Sequence, residues 1–130
     1  MAIKFRPVAK KNPMTKEVKY YAQAVTADRI TVDRIAREIE ESCTVHESDI
    51  RAVIAAFTRR IIVHLQDGHS INLGDLGNFR VSVRSTPCDV PDEVTADSVR
   101  AARVVYAPSG VIRRSVRPTA AGVRFQRAAK

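Results

Sequence analysis

The sequence has few of the residues that mark several common protein classes. It contains no tryptophan, two cysteines and three histidines among its 130 residues, and only 5% of the residues are aromatic. No apolar run approaches the roughly 20 residues that a membrane-spanning helix needs. The first residues, MAIKFRPVAKK, lack the apolar segment of a secretory signal. We therefore expect a cytoplasmic protein with no membrane partner.

The residue constellations that enzymes and metal sites use are also missing. No serine sits in a nucleophile elbow, and Gly74–Gly77 is not followed by the lysine and helix of a phosphate-binding loop. Cys43 and Cys88 lack metal-ligand spacing, and His64 and His69 stand five residues apart without a cysteine or acidic set at ligand spacing. We expect no enzyme activity, cofactor, metal site or small-molecule substrate. Reduced cysteines fit best, and a disulfide is the less favoured alternative.

Positive charge is abundant and lies at the two ends of the sequence. The formal net charge is +8, with six Lys/Arg against one Glu in residues 1–25 and eight bases without an acid in residues 100–130. Residues 85–99 carry four acids and no base. A basic surface of this kind commonly meets nucleic acid. A solvated basic surface that keeps the protein soluble is the alternative.

The stretch INLGDLGNFRVSV, Ile71–Val83, predicts a strand, a tight turn and a second strand. Phe79, Val81 and Val83 alternate with polar neighbours, which is the period of a half-buried strand. The turn holds two glycines and an asparagine, which tolerate positive φ. A returning strand at 103–106 would complete a three-stranded antiparallel sheet.

Two amphipathic helices are predicted before this hairpin. Thr31 can cap a helix that runs to about Ser42, with Cys43 after it as a small apolar filler. Thr44 and Glu47 have the spacing of a capping box for a second helix that runs to Gln66, where Gly68 stops it. The apolar stripe of the second helix is wider than one short helix can cover.

Two helices, a GDLGNF-type turn and a returning strand that ends in Tyr106-Ala107-Pro108 resemble the HU/IHF family of bacterial DNA-bending proteins, over roughly residues 30–116. The N-terminal extension makes the chain look closest to the HU-like branch typical of Bacteroidetes. The resemblance implies an α+β fold with two N-terminal helices, a three-stranded sheet and a C-terminal helix, in an intertwined dimer. The predicted parts are a basic N-terminal β-hairpin extension (1–28), an HU-like dimerisation and DNA-binding domain (29–117) and a basic C-terminal tail or strand (118–130).

The small size of the helices and sheet also predicts self-association. A core of about 75 residues rarely supplies a large free energy of folding by itself. Two copies related by a two-fold axis would cover the excess apolar surface. A monomer whose terminal extensions cap the core is the alternative. The predicted dimer core is Phe57, Ile61, Leu73, Leu76, Phe79 and Val81.

Residues 85–99 depart from the family, whose members carry a long basic β-arm with an Arg-Asn-Pro-x-Thr-Gly tip at this place. Here the segment is short and acidic, with a helical turn expected at Thr95–Ser98. Lys11–Lys16, KNPMTK, resembles that tip and lies in the N-terminal hairpin. One hypothesis is that this hairpin replaces the arm, with Pro13 and Met14 as wedges at a base step, the device for which HU and IHF are themselves standard examples. An ordinary Asn-Pro turn is the alternative.

The predicted function is non-enzymatic, largely sequence-nonspecific binding of duplex DNA, with bending or compaction, at the nucleoid. Arg80 and Arg84 alternate with Ser82 on the strand face opposite Phe79, and two such strands would form a basic saddle for phosphates. A protein-interaction or assembly module is one alternative, and an RNA-binding domain, which lacks a stacking surface here, is another. The predicted DNA contacts are Lys10, Lys11, Asn12, Pro13, Lys16, Lys19, Arg80, Arg84, Arg100, Arg103, Arg113 and Arg114.

Overall fold

The computed structural model describes residues 2–129 as an α+β chain with three α-helices and two small sheets. The α+β class predicted from the sequence is therefore confirmed. Short 3-10 turns occupy Gly74–Leu76, Pro91–Glu93 and Ala96–Ser98. The regular elements, in order, are β1 (Ile3–Lys11), β2 (Val18–Val25), α1 (Val32–Ser42), α2 (Glu47–Gln66), β3 (Ile71–Asn72), β4 (Asn78–Ser85), β5 (Val99–Ala107), α3 (Gly110–Ser115) and β6 (Phe125–Arg127).

The helix α1 begins where the sequence predicts, with Thr31 at the N-cap position, but the Thr31 side chain makes no capping hydrogen bond. The capping box at Thr44 was wrong, because the N-cap of α2 is His46. The backbone N–H of Glu47 instead donates to the carboxylate of Glu40, 3.1 Å away at the end of α1. The hydrogen-bond acceptor at the start of α2 is therefore Glu40 of the preceding helix, and not Thr44 as the local pattern predicts.

The chain buries very little apolar surface by itself. Among residues 2–129 the buried apolar side chains are Ala36, which is fully buried, and Ile50, which is 9% exposed. These two residues lie where α1 packs against α2. The prediction that Cys43 fills an apolar gap was wrong, because this side chain is exposed and its thiol is free.

The first sheet joins the two ends of the chain. Its strand order is β2-β1-β6, with β1 antiparallel to β2 and parallel to β6. Ile3 pairs with Phe125, so the C-terminal segment adds a strand beside the N-terminal hairpin. The division into 1–28, 29–117 and 118–130 stays a prediction.

The second sheet has the order β3-β4-β5 and is antiparallel throughout. The 3-10 turn at Gly74–Leu76 connects β3 to β4, and α3 packs against that turn. Gly77 follows the turn at φ +118°, and a Cβ there would collide with the carbonyl oxygen of Ala107. Only glycine therefore fits where the turn meets the end of β5.

The acidic segment between β4 and β5 forms a closed loop around Ser98. This buried hydroxyl accepts from the backbone N–H of Thr95 at 3.1 Å and donates to the carbonyl oxygen of Glu93 at 3.3 Å. The thiol of Cys88 lies 3.8 Å from the same hydroxyl and is free. The expected helical turn is present at Ala96–Ser98, and the loop is compact rather than an extended arm.

Candidate nucleic-acid interface

One face of the β4–β5 sheet is basic. Arg80, Ser82 and Arg84 alternate along β4, and the register places Arg103 directly opposite Ser82. Residues directly opposite each other in an antiparallel pair share a face. Arg80, Arg84 and Arg103 therefore lie on one surface, as the alternation in β4 predicts for the first two.

The other face of this sheet is apolar and largely uncovered. Phe79 pairs with Tyr106, and Val81 pairs with Val104. The rings of Phe79 and Tyr106 are 5.3 Å apart between centroids, which is normal contact for an aromatic pair. Val104 is nevertheless 56% exposed. The sheet thus separates an arginine surface from an apolar surface that the described residues of the chain cover only in part.

The residues predicted for the dimer core are accessible in the single chain. Phe57 and Leu76 are more than half exposed, and Val81 is exposed to a lesser degree. Ile61, Leu73 and Phe79 are half-buried. The accessible surface is 11,398 Å², about two-thirds more than the roughly 6,800 Å² expected of a folded monomer of this mass.

The other predicted arginines lie elsewhere. The register shifts between Arg84 and Ser85 and leaves Arg100 without a paired residue on β4. Arg113 and Arg114 belong to α3, which packs on the turn at Gly74–Leu76. That turn and Arg84 are separated by the length of β4, about 20 Å for six residues. No contact therefore joins the α3 arginines to the basic end of the sheet at Arg84.

The tip of the β1–β2 hairpin has a defined shape. The side-chain oxygen of Asn12 accepts from the backbone N–H of Met14 at 2.9 Å, and its carbonyl oxygen accepts from Lys16 N–H at 2.8 Å. Lys16 itself has φ 59°. This asparagine turn holds Pro13 and Met14 at the apex, where Met14 is 92% exposed.

The strands of this hairpin also divide into two faces. Lys10 pairs directly with Lys19, and Val8 pairs with Tyr21 on the same face. The Lys10 ammonium lies 5.3 Å from the centre of the Tyr21 ring, within cation–π range. Lys11 pairs with Val18 on the opposite face, so the structure does not group it with Lys10 and Lys19.

Sequence reasoning missed further members of the basic hairpin face. Lys4 and Arg6 stand at two-residue intervals before Val8 and Lys10, so they share the face of Lys10. The period of two in β1 was the signal that could have identified them. The face therefore carries four cationic side chains, Lys4, Arg6, Lys10 and Lys19.

Two other kinds of feature are absent from residues 2–129. No group of three or more histidine, cysteine or acidic side chains is arranged to hold a metal ion there. In the same range, no helix combines the length and the apolarity that crossing a membrane requires.

The helix pair, the GDLGNF turn and the two-faced sheet define an HU-like protein. Residues 1–126 match the HU-HIG family, described as an HU domain fused to wHTH, Ig, or Glycine-rich motif. The chain belongs to this family, which confirms the resemblance seen in the sequence.

The fold is also similar to a solved structure. A protein from Bacteroides vulgatus ATCC 8482, provisionally described as a bacterial DNA binding protein, superposes with a TM-score of 0.68 at 14% identity. The match covers 97% of this chain and 48% of the other, so the chain spans about half the length of that protein. At this identity the likeness shows the fold alone. No curated protein gave a significant match.

Proposed function

We propose that the chain binds duplex DNA without marked sequence preference, as a two-fold homodimer, and bends or compacts it at the nucleoid. The observation that carries this proposal is the division of the β4–β5 sheet. Its arginine face presents Arg80, Arg84 and Arg103, and its apolar face is exposed. The activity is binding, with no chemical step.

The apolar half of this division supports a second copy as the partner. Only Ala36 and Ile50 are buried among the described apolar side chains, which is too little to offset the conformational entropy of more than a hundred ordered residues. Phe57 on α2 and Val81 on β4 are both exposed in the single chain. Covering them with the same surfaces of a second chain makes an isologous interface, the commonest kind in homodimers.

The basic half supports DNA as the ligand. Guanidinium groups bind phosphate oxygens through paired N–H donors, and a two-fold axis would double the set of Arg80, Arg84 and Arg103. Such contacts read the backbone rather than the base edges, so affinity falls with salt and sequence preference is weak. The description of the similar Bacteroides vulgatus protein supports the same ligand class.

The N-terminal hairpin supplies a second DNA contact in this proposal. Lys10 and Lys19 are directly opposite each other, and like charges in that position destabilise a sheet. A phosphate backbone along this face would remove the repulsion. The exposed Met14 and Pro13 at the apex would then meet a base step as apolar wedges and kink the duplex.

Direct titration tests the proposal. The protein should shift a labelled duplex of about 40 base pairs at low salt, with affinity that falls steeply as salt is added. Single-stranded RNA of equal length should compete less well than duplex DNA, because the arginine face of the β4–β5 sheet, as described, carries no aromatic side chain on which bases could stack. Absence of a shift at low salt, or stronger competition by RNA, would overturn it.

The acidic loop favours one second candidate, a protein-interaction or assembly module on the same fold. Asp89, Asp92, Glu93 and Asp97 lie on a loop that Ser98 holds closed, at the end of the sheet where Arg84 lies. A fixed acidic surface repels phosphate and suits a basic protein partner. This candidate is preferred if replacement of Arg80 and Arg84 leaves DNA binding unchanged while a basic protein partner still binds.

A further inference from the structure

Two histidines face each other at the end of α2. The Nδ1 atoms of His64 and His69 are 3.4 Å apart, and the ring centres are 5.5 Å apart. Both side chains are exposed. The two rings therefore form a solvent-accessible pair of nitrogen donors that the DNA-binding proposal does not use.

The backbone at the helix end fixes this pair. The N–H of His69 donates to the carbonyl oxygen of His64 at 3.0 Å, and the N–H of Gly68 donates to that of Leu65 at 3.0 Å. Gly68 lies at φ +84°. These two bonds and the left-handed glycine make a Schellman motif, in which the residues at the positions of His64 and His69 usually make an apolar contact. Here two imidazoles stand at that contact.

The separation of the two nitrogens suits a metal ion. Two nitrogen ligands at about 2.0–2.1 Å from a tetrahedral Zn²⁺ lie about 3.3–3.4 Å from each other. The C-terminal end of a helix also carries a partial negative charge, which favours a cation there. The spacing of five residues gave no sign of this arrangement, because only the reversal at Gly68 brings the rings together.

We propose that His64 and His69 bind one divalent transition-metal ion of the kind that prefers imidazole, such as Zn²⁺, Ni²⁺ or Cu²⁺. The ion is held between the two Nδ1 atoms, and water fills its remaining positions, because the described residues offer no third histidine, cysteine or acidic ligand there. Mg²⁺, which requires oxygen ligands, does not bind. A hydrogen bond between two neutral rings is the competing explanation of the same distance.

Titration calorimetry of the full chain with zinc chloride or nickel chloride separates these explanations. Wild-type protein takes up one ion per chain at this site, and His64→Ala or His69→Ala weakens that binding at least tenfold. His46→Asn is the matched control, because His46 is the third histidine and lies beside Glu40 rather than in this pair.

A second measurement guards against variants that bind poorly because they are misfolded. The thermal midpoint of the wild-type protein rises with zinc, since an ion that binds the native state stabilises it, and magnesium leaves it unchanged. The double variant His64→Gln/His69→Gln keeps its far-ultraviolet circular dichroism and loses the zinc response. The proposal is overturned if wild type and double variant bind zinc equally, or if His46→Asn alone abolishes binding.

Discussion

The Tyr106 hydroxyl donates a hydrogen bond to the carbonyl oxygen of Leu76 at 2.6 Å. This bond ties the end of β5 to the turn that connects β3 and β4, thirty residues away in sequence. Ser109 makes a similar hydrogen bond to the same turn, since its hydroxyl donates to the carbonyl oxygen of Asp75 at 2.5 Å. Two hydrogen bonds, from the end of β5 and from the residues that follow it, therefore hold the turn in place.

Tyr106→Phe should lower the free energy of unfolding by about 0.5–1.5 kcal/mol, the usual worth of one such hydrogen bond. The ring keeps its contact with Phe79, so only the hydroxyl contribution is removed. Chemical denaturation measures the difference. Tyr20→Phe is the control, because Tyr20 is 73% exposed and should change the stability very little. Equal effects of the two substitutions would contradict the assignment.

Gly77→Ala should destabilise the protein by roughly 2–4 kcal/mol, from a strained backbone and a steric overlap together. The added methyl group would meet the carbonyl oxygen of Ala107 and would approach Tyr106 Cε1 to 3.0 Å. Gly74→Ala in the same turn is the matched control. It also has positive φ but meets nothing within 4 Å, so it should cost about 1–2 kcal/mol. A similar loss in both variants would remove the steric argument.

The faces of the sheets could be predicted where strand alternation alone decides them. Arg80 and Arg84 share a face because they are four residues apart in one strand. Arg103 joins them through the register with Ser82, which is a long-range property of the fold. Arg100 does not pair with β4, because the register shift near Ser85 skips it, and simple alternation contains no sign of an irregularity.

Helix ends were predictable only where the residue that marks the end lies beside it in the sequence. Thr31 and Gly68 lie next to the helix ends they mark, and the sequence identifies both. The start of α2 depends on Glu40 from the preceding helix, so the spacing of Thr44 and Glu47 was misleading. The compact shape of the acidic loop likewise depends on the hydrogen bonds of the buried Ser98 hydroxyl, which amino-acid composition does not reveal.

Replacement of Pro13 and Met14 by alanine should reduce DNA bending more than DNA affinity. The apolar apex is removed while Lys10, Lys16 and Lys19 keep their charge, so phosphate attraction is retained. Fluorescence transfer between dyes at the two ends of a duplex measures the bend. Glu17→Gln, beside the turn but outside the apex, is the control. Unchanged bending in the alanine variant would eliminate the wedge.

Phe57→Asp should separate the proposed dimer. Sedimentation equilibrium of the wild-type protein should give twice the chain mass of 14.4 kDa. A carboxylate forced into an apolar interface should raise the dimer dissociation constant by at least about 100-fold. Val90→Asp is the control, since Val90 is similarly exposed but lies in the acidic loop. A folded wild-type particle of 14.4 kDa would contradict self-association.

The arginine face of the β4–β5 sheet is tested most directly by the salt dependence of duplex binding. Arg80→Gln/Arg84→Gln removes four contacts per dimer, so the slope of log K against log salt should become shallower by about three to four. Arg34→Gln/Arg37→Gln on α1, where Arg34 makes only an exposed ion pair with Glu38, should keep the wild-type slope. An unchanged slope in the Arg80/Arg84 variant, or an equal change in both variants, would contradict the account.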